Sequence, residues 1–359
     1  MNLSLRDPNH CTRKPEGIVL ERIQHLPVGG KMGDLPPHLQ HKSFVRKGKK
    51  KTGGPNLRII RLENDKPSLT VTAYIYNKFV HPEADRYITP REAACLQDFP
   101  DDYIFHGAIG SVRQQIGNAV PAKLGMALGN EICRSLHLQG YSGEVPVASY
   151  FCGAGGLDLG LESSVFKDLR LTTKFCTDID KDSCLTIQHN RPDWNPHQCD
   201  IRKLSSDDVV AFCGEKPVVI VGGPPCQSFS VAGKQRGTHD PLGQLYRDFV
   251  RHIDEIRPSV VLMENVYGLA QVKASNTLSE IYDAFEKIGY SLNHFEVTAA
   301  DFGTPQKRRR LIFFGVPKSL LSYIPRIPEA TNAPEGDMFL PPYAGAGQAI
   351  SHLPEPHYL

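Results

Sequence analysis

Cys226 stands in the run Val221-Gly222-Gly223-Pro224-Pro225-Cys226-Gln227-Ser228-Phe229-Ser230, directly after an apolar stretch. An accessible thiolate is the strongest nucleophile among side chains near neutral pH. The Gly-Gly-Pro-Pro approach gives it a stiff, narrow backbone for which an inert core cysteine has no need. No histidine neighbours it in sequence, which weakens a cysteine-hydrolase reading. Glu264-Asn265-Val266 closes a later apolar run, where a carboxyl group could protonate or hydrogen-bond a substrate ring. Gly303-Thr304-Pro305-Gln306-Lys307-Arg308-Arg309-Arg310 brings cations in front of a β-rich run. In an extended segment Arg308 and Arg310 share one side, Lys307 and Arg309 the other.

A second group of residues suits ligand binding. Phe151-Cys152-Gly153-Ala154-Gly155-Gly156-Leu157-Asp158 follows an apolar strand, and glycines there let the backbone approach a ligand and start a helix. Folds that bind nucleotides, flavins or S-adenosylmethionine (AdoMet) share this signal. Thr177-Asp178-Ile179-Asp180 closes the next strand, where a carboxylate commonly meets ribose hydroxyls. Asp200, before Ile201, could take the amino group of an adenine. Either aspartate could instead cap a helix.

The elements that must carry these residues follow from periodicity. Apolar strands are expected at Val147 to Phe151, Thr173 to Thr177, Val218 to Val221, Val260 to Met263, Ser291 to Thr298 and Leu311 to Gly315, with helical spacing between several of them, as in Leu245 to Ile256 and Leu278 to Ile288. Strands alternating with helices predict an α/β, doubly wound sheet whose ligands bind beyond the carboxyl ends of the strands. The motifs above all fall there. Upstream, Thr89 as N-cap, Pro90 at the first turn and Glu92 predict a helix to Leu96. Leu124, Leu128, Ile132 and Leu136 predict a longer one from Pro121 to Leu138. Residues 1–72 are irregular, with β-like pieces at Leu57 to Leu62 and Ser68 to Thr72, and from about Pro325 to Leu359 the chain is again rich in Pro and Gly.

Composition excludes several classes. Hydrophobic residues make up 40% and charged residues 22%, so a core can form without staples and disorder is not expected. No apolar run approaches the roughly 18 residues of a membrane span, and the N-terminus lacks the pattern of a secretory signal. A cytoplasmic protein is expected, nucleoid-associated in a prokaryote, with no membrane partner. Nine cysteines without a Cys-x-x-Cys pair favour neither a disulfide framework nor a zinc knuckle, so no metal is expected. The net charge of +2 decides little, but the basic runs at Arg46-Lys47-Gly48-Lys49-Lys50-Lys51 and Lys307 to Arg310 could neutralise phosphates.

Taken together the motifs resemble those of the DNA cytosine-5 methyltransferase family. The resemblance rests on Phe-x-Gly-x-Gly-Gly at Phe151, Pro-Cys-Gln at Pro225, Glu-Asn-Val at Glu264 and Gln-x-Arg-x-Arg at Gln306. Asp240-Pro241-Leu242-Gly243-Gln244-Leu245, Arg91-Glu92-Ala93-Ala94 with Phe99-Pro100, and Gln115-Ile116-Gly117-Asn118-Ala119-Val120-Pro121 add to it. Two positions depart from the family pattern: Leu242 stands where Arg is usual, and Ser149 where Asp is common. The order departs too, because the Gly-Asn-Ala-Val-Pro motif precedes the cofactor loop instead of ending the chain. The sequence therefore resembles a circular permutant whose ends interrupt the recognition domain.

The resemblance implies transfer of a methyl group from AdoMet, leaving S-adenosylhomocysteine, to C5 of a cytosine flipped out of duplex DNA. It assigns catalysis to Cys226, Glu264, Arg308, Arg310 and Gln306. It places Phe151, Gly153, Gly155, Asp178, Ile179, Asp200, Ile201, Pro225, Leu245, Asn118 and Val120 around the cofactor. It divides the chain into recognition regions at 1–72 and 331–359, a hinge and cofactor-completing segment at 73–140, a linker at 141–146 and a catalytic domain at 147–330. A monomer is expected, serving a restriction-modification system whose endonuclease reads the same site without direct contact. Two rivals stay open: a tRNA cytosine-5 methyltransferase of the same family, and an inactive DNA-binding subunit. An amino-group methyltransferase would carry an aromatic residue where this chain has Cys226.

Overall fold

The alternation of apolar runs and helical stretches resolves into one mixed sheet. The structure, a computed structural model, describes residues 7–42, 44–46, 49–50, 59–73, 78–225, 245–270 and 275–359. The chain forms two units: Val120–Phe302 with Arg309–Ala330, and Met1–Ala119 with Gly303–Arg308 and Thr331–Leu359.

In the first of these, helix α1 (Ala122–Leu138) leads into β1 (Glu144–Tyr150), α2 (Gly156–Glu162), β2 (Val165–Phe166) and β3 (Leu169–Asp178). Then come α3 (Lys181–Asn190), β4 (Pro196–Gln198), α4 (Ser206–Cys213), β5 (Val219–Gly222), α5 (Leu245–Ile256) and β6 (Val260–Val266). Helix α6 (Ser275–Lys287) and strands β7 (Tyr290–Thr298) and β8 (Arg309–Pro317) complete it. Across the sheet the order is β4-β3-β1-β5-β6-β8-β7, with β2 paired to β3. The strands run parallel from β4 to β6, and β8 lies antiparallel between β6 and β7.

This is the doubly wound sheet that the sequence predicts. All four residues of β5 are buried, as a central parallel strand covered on both faces requires. On one face Leu124, Leu128, Ile132 and Leu136 of α1 pack with Val147, Val221, Leu262 and Phe314. On the other, Phe249 and Ile253 of α5 and Phe285 of α6 pack with Ala148, Ile220, Val261 and Met263. Strand β1 starts at Glu144, so the last three residues of the expected 141–146 linker lie in the sheet. They pair with Arg170, Leu171 and Thr172.

Ser149 on β1 donates a hydrogen bond to Oδ2 of fully buried Asp158 at 3.1 Å, and Thr173 reaches the other oxygen at 3.4 Å. Burial pushes the Asp158 carboxyl up to about 7. The folded state therefore holds this proton where the unfolded chain has released it. The stabilisation is full below the unfolded value near 3.8 and is lost as pH rises towards 7. Asp158→Asn keeps the shape and removes the buried charge. It should flatten this slope and stabilise the protein at pH 8 by about 1–3 kcal/mol. Thermal melts of both proteins between pH 5 and 8 check this; parallel curves would contradict it.

The second unit has its own core, in which Ile23, Leu26, Met32, Leu35 and Phe44 pack with Ile59 and Val80. Buried Arg61 ties it together, donating to the carbonyls of Ile23 (2.6 Å) and Leu26 (2.8 Å) and pairing with Asp85 (2.8 Å). Helix Pro90–Cys95 carries the expected capping box between Thr89 and Glu92. The two ends of the chain run side by side: Cys11–Thr12 pairs in parallel with His357–Tyr358, and the Leu359 N–H donates to Thr12 at 3.0 Å.

Candidate active site

The parallel register sets Tyr150 beside Thr177 and Gly222, and Gly222 beside Met263. The turns after β1, β3, β5 and β6 therefore leave from one edge of the sheet, as the position of the motifs predicts.

The turn after β1 is shaped by positive φ at Phe151 (54°), Gly153 (52°) and Gly155 (79°). A non-glycine residue such as Phe151 pays about 1–3 kcal/mol for that conformation, a strain that collects at ligand clamps. The Gly153 N–H donates to Asp178 Oδ2, and the Asp180 N–H to Asp178 Oδ1, both at 2.9 Å. Burial raises the Asp178 carboxyl above the usual range while these two N–H groups oppose the shift. Asp178 thus grips the glycine loop and fixes its shape. The next residue, Ile179, is 65% exposed, an apolar face offered at the tip of β3.

Asp200 is engaged locally. It accepts from the Arg202 N–H at the start of the turn Ile201–Lys203 and pairs with the Arg202 guanidinium, Nε to Oδ1 at 2.9 Å. The Arg202 hydrogen bond holds its carboxyl below the usual range. This is the capping role that the sequence left open. Ile201 is buried beneath it, and Leu245 opens α5 with its side chain against the core on that face.

Glu264 lies near the end of β6, mostly buried, with Arg310 Nε 2.5 Å from Oε1. The antiparallel pairing of Val266 with Arg310 brings that arginine to this edge. The ion pair sets the Glu264 carboxyl group and the Arg310 guanidinium against each other at this edge of the sheet. Asn265, on the opposite side of the strand, donates from Nδ2 to the Pro224 carbonyl at 3.2 Å and pins the approach to Cys226. A Cβ on Gly223 would come within 3.2 Å of Glu264 Oε2, so a side chain there would press on the glutamate carboxyl group. Pro225 is described and half-buried, whereas Cys226 and residues 227–244, with most of the Asp240–Leu245 motif, lie outside the described residues. So do Lys47, Gly48 and Lys51 of the first basic run.

Gln306 and Arg308 are built into the other unit. Gln306 is fully buried, accepting from the Val71 N–H at 2.8 Å and donating to Leu96 O at 3.0 Å and Gln97 Oε1 at 2.9 Å. Arg308 is buried and donates to the carbonyls of Val71 (3.0 Å) and Asn118 (3.1 Å). So the expected pair of arginines divides: Arg310 accompanies Glu264, while Arg308 and Gln306 order the backbone around Val71 and Asn118. Val120 packs into the core beside α1. Sequence reasoning missed the anchoring role of Asn265, although strand alternation from Glu264 carried the signal. It also missed Tyr267, over whose ring Arg309 stacks at 3.8 Å.

Comparison with known proteins bears on this arrangement. The family model for C-5 cytosine-specific DNA methylases matches residues 30–134 and 145–355. Type II methyltransferase M.PspPI of Psychrobacter sp. is 46% identical over 167 residues, 46% of this chain and 38% of that protein. M1.HphI of Haemophilus parahaemolyticus is 38% identical over 168 residues, 46% of this chain and 44% of that protein. M.AquIA of Picosynechococcus sp. is 33% identical over 230 residues, 59% of this chain and 90% of that protein. The match thus spans less than half of M.PspPI and M1.HphI. Among solved structures, a prophage-encoded DNA modification methyltransferase of E. coli is 29% identical over 52% of each chain, with a TM-score of 0.42.

Proposed function

The chain belongs to the C-5 cytosine-specific DNA methylase family, and from that premise we propose that it methylates C5 of a cytosine in a specific duplex DNA sequence, with Cys226 as nucleophile. The observation that carries the reading is the Glu264–Arg310 pair beside the Asn265-pinned approach to Cys226.

Cytosine C5 is a poor nucleophile and is shielded inside a duplex, so the base must first leave the stack at a cost of a few kcal/mol. Cys226 then adds to C6, which makes C5 an enamine-like carbon. Glu264 holds the ring N3 and the exocyclic amine, favouring addition and selecting cytosine over thymine. Arg310 keeps the Glu264 carboxylate oriented and offers positive charge to the O2 side as electron density builds there. Gln306 and Arg308 act one step removed, as positioning residues. Loss of the C5 proton and expulsion of the thiolate complete the cycle.

AdoMet, when bound, supplies the electrophilic methyl group that the activated C5 takes. The strained Phe151–Gly155 turn, its tie to Asp178 and the exposed Ile179 fit such a cofactor. Phe151, Gly153, Gly155, Asp178 and Ile179 would hold it, with Pro225, Leu245 and Val120 completing that side of the pocket. Asp200 would join them only by exchanging Arg202 for the adenine.

Residues 1–72 and 331–359 are assigned to DNA recognition, and the pairing of the two chain ends supports a circularly permuted order. The break in the family match at 135–144 supports it as well. The type II names of the relatives suggest the modification half of a restriction-modification system. Bisulfite sequencing of DNA from cells expressing the protein, beside parallel assays of purified enzyme on duplex DNA and tRNA, tests the reading. Protected cytosines at one recurring sequence are expected; label incorporated only into tRNA would overturn it.

A further inference from the structure

Cys95, Asp101 and His352 bring three kinds of metal ligand together, with their ligand atoms all within 4.8 Å of one another. The Cys95 thiol donates to Asp101 Oδ1 at 3.4 Å, and His352 Nε2 lies 2.7 Å from Asp101 Oδ2. The residues are six and 251 positions apart in sequence, so no spacing motif announces them. Their backbones are well fixed. Cys95 ends the helix Pro90–Cys95, and its carbonyl accepts from Asp98 at 3.0 Å. Before His352, the helix Ala346–Ile350 is held by Ala346 donating to Lys66 O and Gly347 to Glu63 O, at 2.8 and 3.0 Å.

We propose that Cys95, Asp101 and His352 bind a divalent transition ion, zinc(II) being the best match, with the remaining position open to water. Thiolate, imidazole and carboxylate together suit a borderline ion and not magnesium or calcium. Around zinc the edges of the coordination tetrahedron are roughly 3.4–3.6 Å for such ligands. The thiol distance to Asp101 Oδ1 already fits. The imidazole meets the other oxygen, Oδ2, so the carboxylate or the imidazole must turn for one oxygen to serve the ion, a movement that the exposed Asp101 and His352 side chains allow. Coordination uses the thiolate, so binding an ion here would release the proton that the thiol donates to Asp101. The bound ion would clip the last residues of the chain to the segment Pro90–Cys95, which carries the Arg91-Glu92-Ala93-Ala94 motif.

Cobalt(II) titration of the reduced, chelator-treated full chain tests this, with zinc(II) as competitor. One cobalt should bind per chain with a near-ultraviolet thiolate-to-cobalt absorption that zinc displaces. Cys95→Ala should abolish that band. His352→Ala, at an exposed position with little folding risk, should weaken zinc binding by about tenfold or more, since a lost ligand costs no less than a lost outer-shell partner. Zinc should also raise the melting temperature of the wild type and not of His352→Ala. Absence of stoichiometric cobalt binding, a band that persists in Cys95→Ala, or wild-type zinc affinity in His352→Ala would each overturn the proposal.

Discussion

Cys226→Ser should lower methylation by about three orders of magnitude or more, while binding of DNA and of AdoMet survives. An alcohol at this position is a far weaker nucleophile than a thiolate, and no histidine stands beside it in the sequence to activate it. Loss of a nucleophile falls on the chemical step and not on ground-state binding, so kcat should fall with little change in substrate affinity. Single-turnover methylation and binding assays on the same preparation check both halves. Substantial turnover by the serine variant would remove the covalent mechanism.

Glu264→Gln should reduce kcat by about 10²–10⁴-fold, the range expected for loss of a positioned general acid. The glutamine side chain can still donate and accept hydrogen bonds but cannot deliver a proton, and it weakens the contact with Arg310. AdoMet affinity should stay close to the wild-type value, because Glu264 is assigned to the cytosine ring. Isothermal titration of the cofactor with both proteins decides this. A large loss of AdoMet binding would reassign Glu264 to the cofactor pocket.

The sheet is legible because its central strands carry apolar runs, such as Val218 to Val221 and Val260 to Met263, bounded by turn residues, and because α1 repeats leucine or isoleucine every four positions. The edge strands β2 and β4 were not legible, since two or three partly exposed residues leave no period to detect. Helices α3 and α4 leave only a faint trace in the sequence. Both carry N-caps, Asp180 and Ser205, but their apolar faces are weak. At the site, residue types located Glu264 and Asp178 correctly on the sheet edge. Partners could not be read in the same way. The ties of Asp178 to Gly153, Asp200 to Arg202 and Gln306 to Val71 depend on how distant or adjacent segments turn, which motif spacing does not encode. The division of labour between Arg308 and Arg310 is of that kind. Extended geometry places them on one side of the chain, yet Arg308 is consumed by backbone carbonyls and Arg310 by a carboxylate.

The covalent step from Cys226 to cytosine C6 is tested most directly with duplex DNA in which every cytosine is replaced by 5-fluorocytosine, so that the target sequence need not be known. Fluorine at C5 cannot leave as a proton does, and the enzyme should remain attached after methyl transfer. The account predicts an adduct stable to denaturing electrophoresis, dependent on AdoMet and absent from Cys226→Ala. No adduct with the wild type, or an equal adduct with the Cys226→Ala variant, would contradict it.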